Sequence, residues 1–158
     1  MEYYIQPFID VTKSTFSTFI GTELSVGRPF FKEKNEINEW DISGIIGLSG
    51  EARGAVVISM RTGLAARLTG MLTGKQHEVI DEEVVDAIGE IVNIIAGNAK
   101  KGLEEIFRLV ISLPTIVQGQ RHQIKWPQGQ TRIICIPCNV FESETFILSV
   151  AIESMNSA

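Results

Sequence analysis

The sequence predicts an α+β domain in which helices pack on a mainly antiparallel six-stranded sheet. Three features predict it. Apolar residues recur at helical spacing in three segments, six other runs have strand character, and the order helix then three strands occurs twice. With 158 residues, 44% of them apolar and 21% charged, one domain over residues 1–158 can bury its own core without disulfides.

The first helix is expected over residues 4–20, where Ile5, Phe8, Ile9, Phe16, Phe19 and Ile20 share helical spacing. Pro7 is tolerated in the first turn and Gly21 is a stop signal. Three strands follow at 23–31, 41–48 and 53–60, separated by the polar stretch KEKNEINE and by the Ser49-Gly50-Glu51 turn. Residues 62–73 form a short helix closed by Gly74. The longest helix starts at Asp81, a capping residue. Glu82 and Glu83 sit in its first turn, and Lys100 and Lys101 lie near its far end at about residue 105. Strands at 108–117, 132–140 and 145–152 complete the chain, with the Gln- and Gly-rich QGQRHQIKWPQGQ read as a loop or hairpin. An offset of 76 residues sets Asp10 on Asp86 and Gly21 on Gly97, which suggests an internal α-β-β-β repeat.

Charge and composition exclude several classes of function. A net charge of −5 repels a phosphate backbone, so nucleic acid is not an expected partner. The longest uncharged run, Leu109 to Gln120, is 12 residues and contains a proline, whereas a bilayer span needs roughly 20 apolar residues. Glu2, Asp10 and Lys13 interrupt the apolar N-terminal stretch, so no signal peptide is read there, and a cytoplasmic protein without membrane partners is expected. Cys135 and Cys138 have C-x-x-C spacing but lie in a strand pattern. Residues three apart on a strand point to opposite faces, which favours structural thiols over a redox pair. They supply half a zinc site at most, with His77 and His122 distant in sequence. Arg121, His122, Lys125 and Trp126 form a small basic and aromatic cluster with no matching nucleic-acid module. Gly47-Leu48-Ser49-Gly50 lacks a nucleophile elbow.

The long helix carries the informative pattern. Val84, Ile88, Ile91, Val92, Ile95, Ala99 and Leu103 fall on one face and predict core. Asp86, Glu90, Asn93 and Gly97 line the side almost opposite, expected to face solvent or a partner. Every surface helix has a polar face, but this one also holds Gly89, Gly97 and Gly102, each costing roughly 0.5–1 kcal/mol relative to alanine. Such glycines either admit a second surface or serve internal packing. A carboxylate and a carboxamide one turn apart suit binding and positioning. Glutamate can hold a lysine, and an asparagine can orient water, as in phosphoryl hydrolysis, where geometry and charge stabilisation carry most of the catalysis.

These residues resemble the motif of the CheC/CheX/FliY family of chemotaxis phosphatases: Asp or Ser, three residues, Glu, two residues, Asn, and a Pro about 22 residues later. Asp86, Glu90 and Asn93 match in order and spacing, while Pro114 follows after 20 residues, a departure from the pattern. IQPFIDVTKSTFSTF, SGIIGLSGEARGAVVIS and EIVNIIAGNAKKGL are likewise similar to the N-terminal helix, paired strands and central helix of CheX-type members. The resemblance implies a phosphatase acting on the aspartyl phosphate of a CheY-like receiver domain. Glu90 would pair with a receiver lysine and Asn93 would align water, with Asp86, Gly97 and Pro114 in supporting or partner-binding roles. It also implies no cofactor in this chain, the magnesium ion belonging to the receiver, and a homodimer built by sheet extension. The repeat register puts Ser14 and Ser17 opposite Glu90 and Asn93, so one site per chain is expected. The alternative is a non-catalytic module of the same fold that docks a signalling partner through this helix.

Overall fold

The computed structural model describes residues 3–33, 39–126 and 132–155. Its first helical segment begins as α1 (Ile5–Ser14), but Thr15–Ile20 continues as a π-helix rather than as more α-helix. The wider turn leaves Phe16 and Ile20 both buried, and the amide of Gly21, in the left-handed region at φ 91°, donates to Phe16 O at 2.8 Å. Two hydroxyls of this segment bond back along the helix, Thr12 Oγ1 donating to Phe8 O and Thr18 Oγ1 to Ser14 O, both at 2.6 Å, whereas the buried Thr15 Oγ1 has no partner among the described residues.

Eight strands, not six, make up the sheet among the described residues: β1 (Leu24–Val26), β2 (Phe30–Phe31), β3 (Trp40–Gly50), β4 (Ala52–Met60), β5 (Leu109–Ile111), β6 (Thr115–His122), β7 (Ile134–Val140) and β8 (Glu144–Ser154). The segments expected at 23–31 and 108–117 each divide in two. Pro29 has no amide, and neither does Pro137 of β7 opposite Gly27, so the ladder breaks between β1 and β2 although Gly27 N still donates to Pro137 O. Pro114 has the same effect between β5 and β6. Strand β6 runs on to His122, into a stretch expected to be a loop or hairpin, while residues 127–131, at the end of that stretch, and 34–38 of the KEKNEINE loop lie outside the described residues.

The path is β1-β7-β8-β4-β3-β5, with β2 also on β7, β6 also on β3, and every pairing antiparallel. The expected repeat is visible in this path. Hairpin β3-β4 meets hairpin β7-β8 along the β4–β8 seam, the first half lends β1 and β2 to β7, and the second half lends β5 and β6 to β3.

Helices α1, α2 (Thr62–Thr73) and α3 (Glu82–Leu103) cover one face. Even-numbered residues of β3, β4, β7 and β8, among them Ile46, Ile58, Ile136 and Leu148, join Ile88, Ile91, Val92 and Ile95 of α3 in one core. Gly44 lets α3 sit close, since a Cβ there would stand 3.1 Å from Val92 Cγ1 and 3.3 Å from Ile88 Cγ2. On the other face Ser43 bonds Ser59 and His122, each at 2.7 Å, so this side of the sheet holds a buried polar network. No helix among the described residues is long and apolar enough to cross a membrane.

Two carboxylates hold the starts of the helices. Asp41 of β3 accepts from Thr62 N at 2.8 Å and Thr62 Oγ1 at 3.0 Å, and the backbone bond from Thr62 is the main cause that lowers its pKa below 3.8. Asp81 is lowered too, first by its bond from His77 and then by the amide of Val84. Because both folded pKa values lie below the unfolded value, this stabilisation is complete above it and is lost as pH falls through the folded values. The melting temperature is therefore expected to hold down to about pH 5 and to drop below about pH 4. The double variant Asp41→Asn, Asp81→Asn, which keeps capping oxygens but cannot titrate, should show a shallower acid decline in a pH series of thermal melts.

Candidate functional site

The site is built on α3, the longest helix and the one most embedded in the core. Asp81 caps it with extended backbone (φ −97°, ψ −175°), accepting from Val84 N at 2.9 Å, while His77 Nδ1 donates to the other carboxylate oxygen at 2.9 Å. Glu82 and Glu83 stand in the first turn and Lys100 and Lys101 in the last, as the helix dipole favours. All seven residues expected on the core face, from Val84 to Leu103, are fully buried. A helix clamped in this way presents its outer face as a fixed surface.

On that outer face Asp86 and Glu90 are exposed and Asn93 and Gly97 are half-buried. The carboxylates of Asp86 and Glu90 and the carboxamide of Asn93 make no hydrogen bond or ion pair among the described residues. The half-buried Asn93 keeps its carboxamide open to solvent, so its donor and acceptor are available to a partner. Glu90 and Asn93 project side by side, one turn apart, with Asp86 a turn before and Gly97 a turn after.

Strand β5 and the chain that leaves it run along the glycines on either side of Asn93. A Cβ on Gly89 would stand 3.6 Å from Pro114 Cγ and 3.6 Å from Ile116 Cδ1, and one on Gly97 would stand 3.9 Å from Ile111 Cδ1. Gly89 and Gly97 are the residues one turn before and one turn after Asn93. Pro114 thus lies against the glycine flanking Asn93, even though its spacing from Asn93 is two residues short of the family pattern. Of the two readings of the helix glycines, internal packing describes Gly89, Gly97 and also Gly102, whose missing Cβ faces Pro7 Cβ at 3.5 Å. The packing of Gly89 on Pro114 was not visible in sequence, although a glycine four residues before Asn93 was the available signal.

The counterpart helix carries no such pair. Ser14 Oγ donates to Val11 O at 3.1 Å and Ser17 Oγ to Ser14 O at 3.3 Å, so both hydroxyls are spent on their own helix. Cys138 lies in the helix-side core, where burial pushes its thiol up to about 12. Cys135 is buried on the opposite face, 3.7 Å from Ser149 Oγ, so the C-x-x-C spacing makes no redox pair. Of the basic and aromatic cluster, His122 is tied to Ser43 Oγ and to Gly119 O, at 2.7 and 2.9 Å, and Arg121 pairs with Glu39 at 3.7 Å. Among the described residues no three His, Cys, Asp or Glu side chains come together in a set suited to a metal ion.

The profile of the family described as "Chemotaxis phosphatase CheX" matches residues 42–139, more than half of the chain and the whole of α3. The chain belongs to the CheX family. It is 28% identical over 152 residues to the CheY-P phosphatase CheX of Thermotoga maritima, covering 95% of this chain and 96% of that one. The chemotaxis protein CheX of Vibrio vulnificus has a crystal structure that matches with a TM-score of 0.87 at 29% identity, over 96% of this chain and all of that one. A chain of the CheX-CheY-BeF3-Mg2+ complex of Borrelia burgdorferi shares the fold, with a TM-score of 0.81 at 24% identity over 96% and 98% of the two chains. Within this CheX-family chain, the resemblance first carried by a short motif extends through the sheet and all three helices.

Proposed function

We propose that this CheX-family chain is a phosphatase that removes the phosphoryl group from the aspartate of a CheY-like receiver domain in the cytoplasm. The observation that carries the reading is the pair Glu90 and Asn93, free of internal partners and side by side on a clamped helix. The name of the Thermotoga maritima relative supports the substrate, and a protein of this fold in complex with CheY supports the partner class.

In this reading the exposed Glu90 carboxylate forms an ion pair with a lysine beside the receiver's phosphorylation site and sets the register of docking. Asn93 enters next to the phosphoryl group. Its carbonyl oxygen accepts from a water and its amide donates to it or to a phosphoryl oxygen, fixing the water in line with the scissile bond. The water oxygen bonds to phosphorus, the bond from phosphorus to the aspartyl oxygen breaks, and free aspartate and inorganic phosphate result. The acyl phosphate and its magnesium ion are brought by the receiver. Because catalysis of this kind is mostly positioning, two side chains on a rigid face suffice.

The test follows loss of phosphoryl label from a CheY-type receiver with and without this chain. Acceleration by wild type and none by the double variant Glu90→Ala, Asn93→Ala supports the reading, and equal rates for the two rule it out. Glu90→Ala alone is expected to lower kcat/KM by about tenfold or more, through weaker docking, with the effect shrinking at high salt.

A further inference from the structure

Among the described large apolar side chains, Leu113 is the most exposed at 87%. It lies in the short link between β5 and β6, bounded by Ile111, which faces Gly97, and by Pro114, which faces Gly89. Those two glycines bracket Asn93 by one helical turn on each side, so the link carrying Leu113 passes the level of Asn93.

The link is also rigid. Ser112 N donates to Gly47 O at 2.9 Å, Gly47 N donates to Ser112 Oγ at 2.8 Å, and Ser112 Oγ donates to Leu113 O at 2.9 Å. Pro114 follows directly and restricts the backbone of Leu113 to extended conformations. Leu113 is therefore an exposed leucine on a backbone tied at Ser112 and restricted by Pro114, in the link that passes the outer face of α3. Single exposed apolar residues are common on protein surfaces. What sets this one apart is a backbone tied at Ser112 and restricted by Pro114, in the link that runs between the contacts to Gly97 and Gly89, the glycines on either side of Asn93.

We propose that Leu113 is a docking residue for the receiver domain, seated on apolar surface that flanks the phosphorylated aspartate. It would complement Glu90, which supplies charge, and Asn93, which supplies chemistry. The proposal rests on the receiver-phosphatase reading above. Since the backbone is fixed before binding, little ordering cost offsets the burial of the side chain. Leu113 is a positioning residue, acting through affinity and alignment of the receiver rather than on the reacting atoms.

Two measurements test it with a CheY-type receiver. The first is phosphate release at varied receiver concentration, using acetyl phosphate as the donor. The second is calorimetric binding of the same receiver loaded with Mg2+ and BeF3−, which does not depend on hydrolysis. Leu113→Ser is expected to raise both KM and Kd roughly tenfold or more, the loss that follows from leaving a leucine-sized surface unburied, with kcat nearly kept. Leu113→Met should restore wild-type values, and Met155→Ser, the same kind of change at another exposed apolar residue, should leave KM and Kd unmoved. Wild-type KM and Kd in Leu113→Ser would overturn the proposal while leaving the phosphatase reading intact. Binding by wild type without acceleration would overturn the phosphatase reading, and the Kd series would still decide the role of Leu113. Neither binding nor acceleration by wild type would overturn both.

Discussion

Asn93→Ala is expected to cut accelerated dephosphorylation at saturating receiver by about a hundredfold or more, the scale on which precise positioning contributes to a rate. Stability should move the other way. Alanine is the better helix former by up to about 0.7 kcal/mol, and the carboxamide has no partner among the described residues to lose. The variant should thus melt at or slightly above the wild-type temperature while losing its activity. That opposition is diagnostic, because a residue kept for packing would lose both together. Asn93→Asp keeps the shape but replaces the donor amide with a negative charge beside the phosphoryl group, so it too should be inactive. Phosphate release after acid quench, read beside a thermal melt of the same sample, checks both signs. A variant that hydrolyses at the wild-type rate would remove Asn93 from the chemistry, whatever its stability.

The outer face of α3 was legible in sequence because a buried helix repeats its apolar residues with a fixed period, and every core position from Val84 to Leu103 obeyed it. Asp81 as the cap was legible for a local reason, its position just before the periodic stretch. Strand alternation likewise placed Cys135 and Cys138 on opposite faces. The breaks within the strands were legible only in part: Pro29 and Pro114 mark them in sequence, but what each link binds instead depends on partners far along the chain. Gly27 is held by Pro137, and Ser112 by Gly47. The second cap, Asp41 acting on Thr62, was hidden for the same reason. At the site, the sequence contained Glu90, Asn93 and Pro114 but not their relation. Counting residues between Asn93 and Pro114 measures the path through β5, whereas what brings the proline to the site is the absence of a side chain on Gly89. The π-helical end of the first helix has no signal we can identify in its sequence.

The largest loss of stability is expected far from the site, at Gly54. This residue pairs with Leu48 of β3 on one side and Ile152 of β8 on the other. A Cβ added there would fall on the carbonyl oxygen of Ala151, 2.8 Å from its carbon and 3.2 Å from Ile152 Cα. All three are backbone atoms of β8, so no rotamer change relieves the clash and the strand itself must move. The strand that must move forms the β4–β8 seam, which joins the β3-β4 and β7-β8 hairpins into one sheet. Gly54→Ala is accordingly expected to cost about 3 kcal/mol, the upper end for single substitutions, and to lower the melting temperature by roughly 10 °C. Gly63→Ala is the control, because a Cβ near the start of α2 meets nothing within 4 Å. It should stabilise by up to about 1 kcal/mol through helix propensity alone. If the two variants melted alike, the seam could not be the tight contact that unites the halves. If they part as expected, α3 still rests on β3 at Gly44, away from the seam. The folded fraction of Gly54→Ala should then dephosphorylate the receiver at close to the wild-type rate per molecule, which separates the residues that hold the sheet together from those that face the partner.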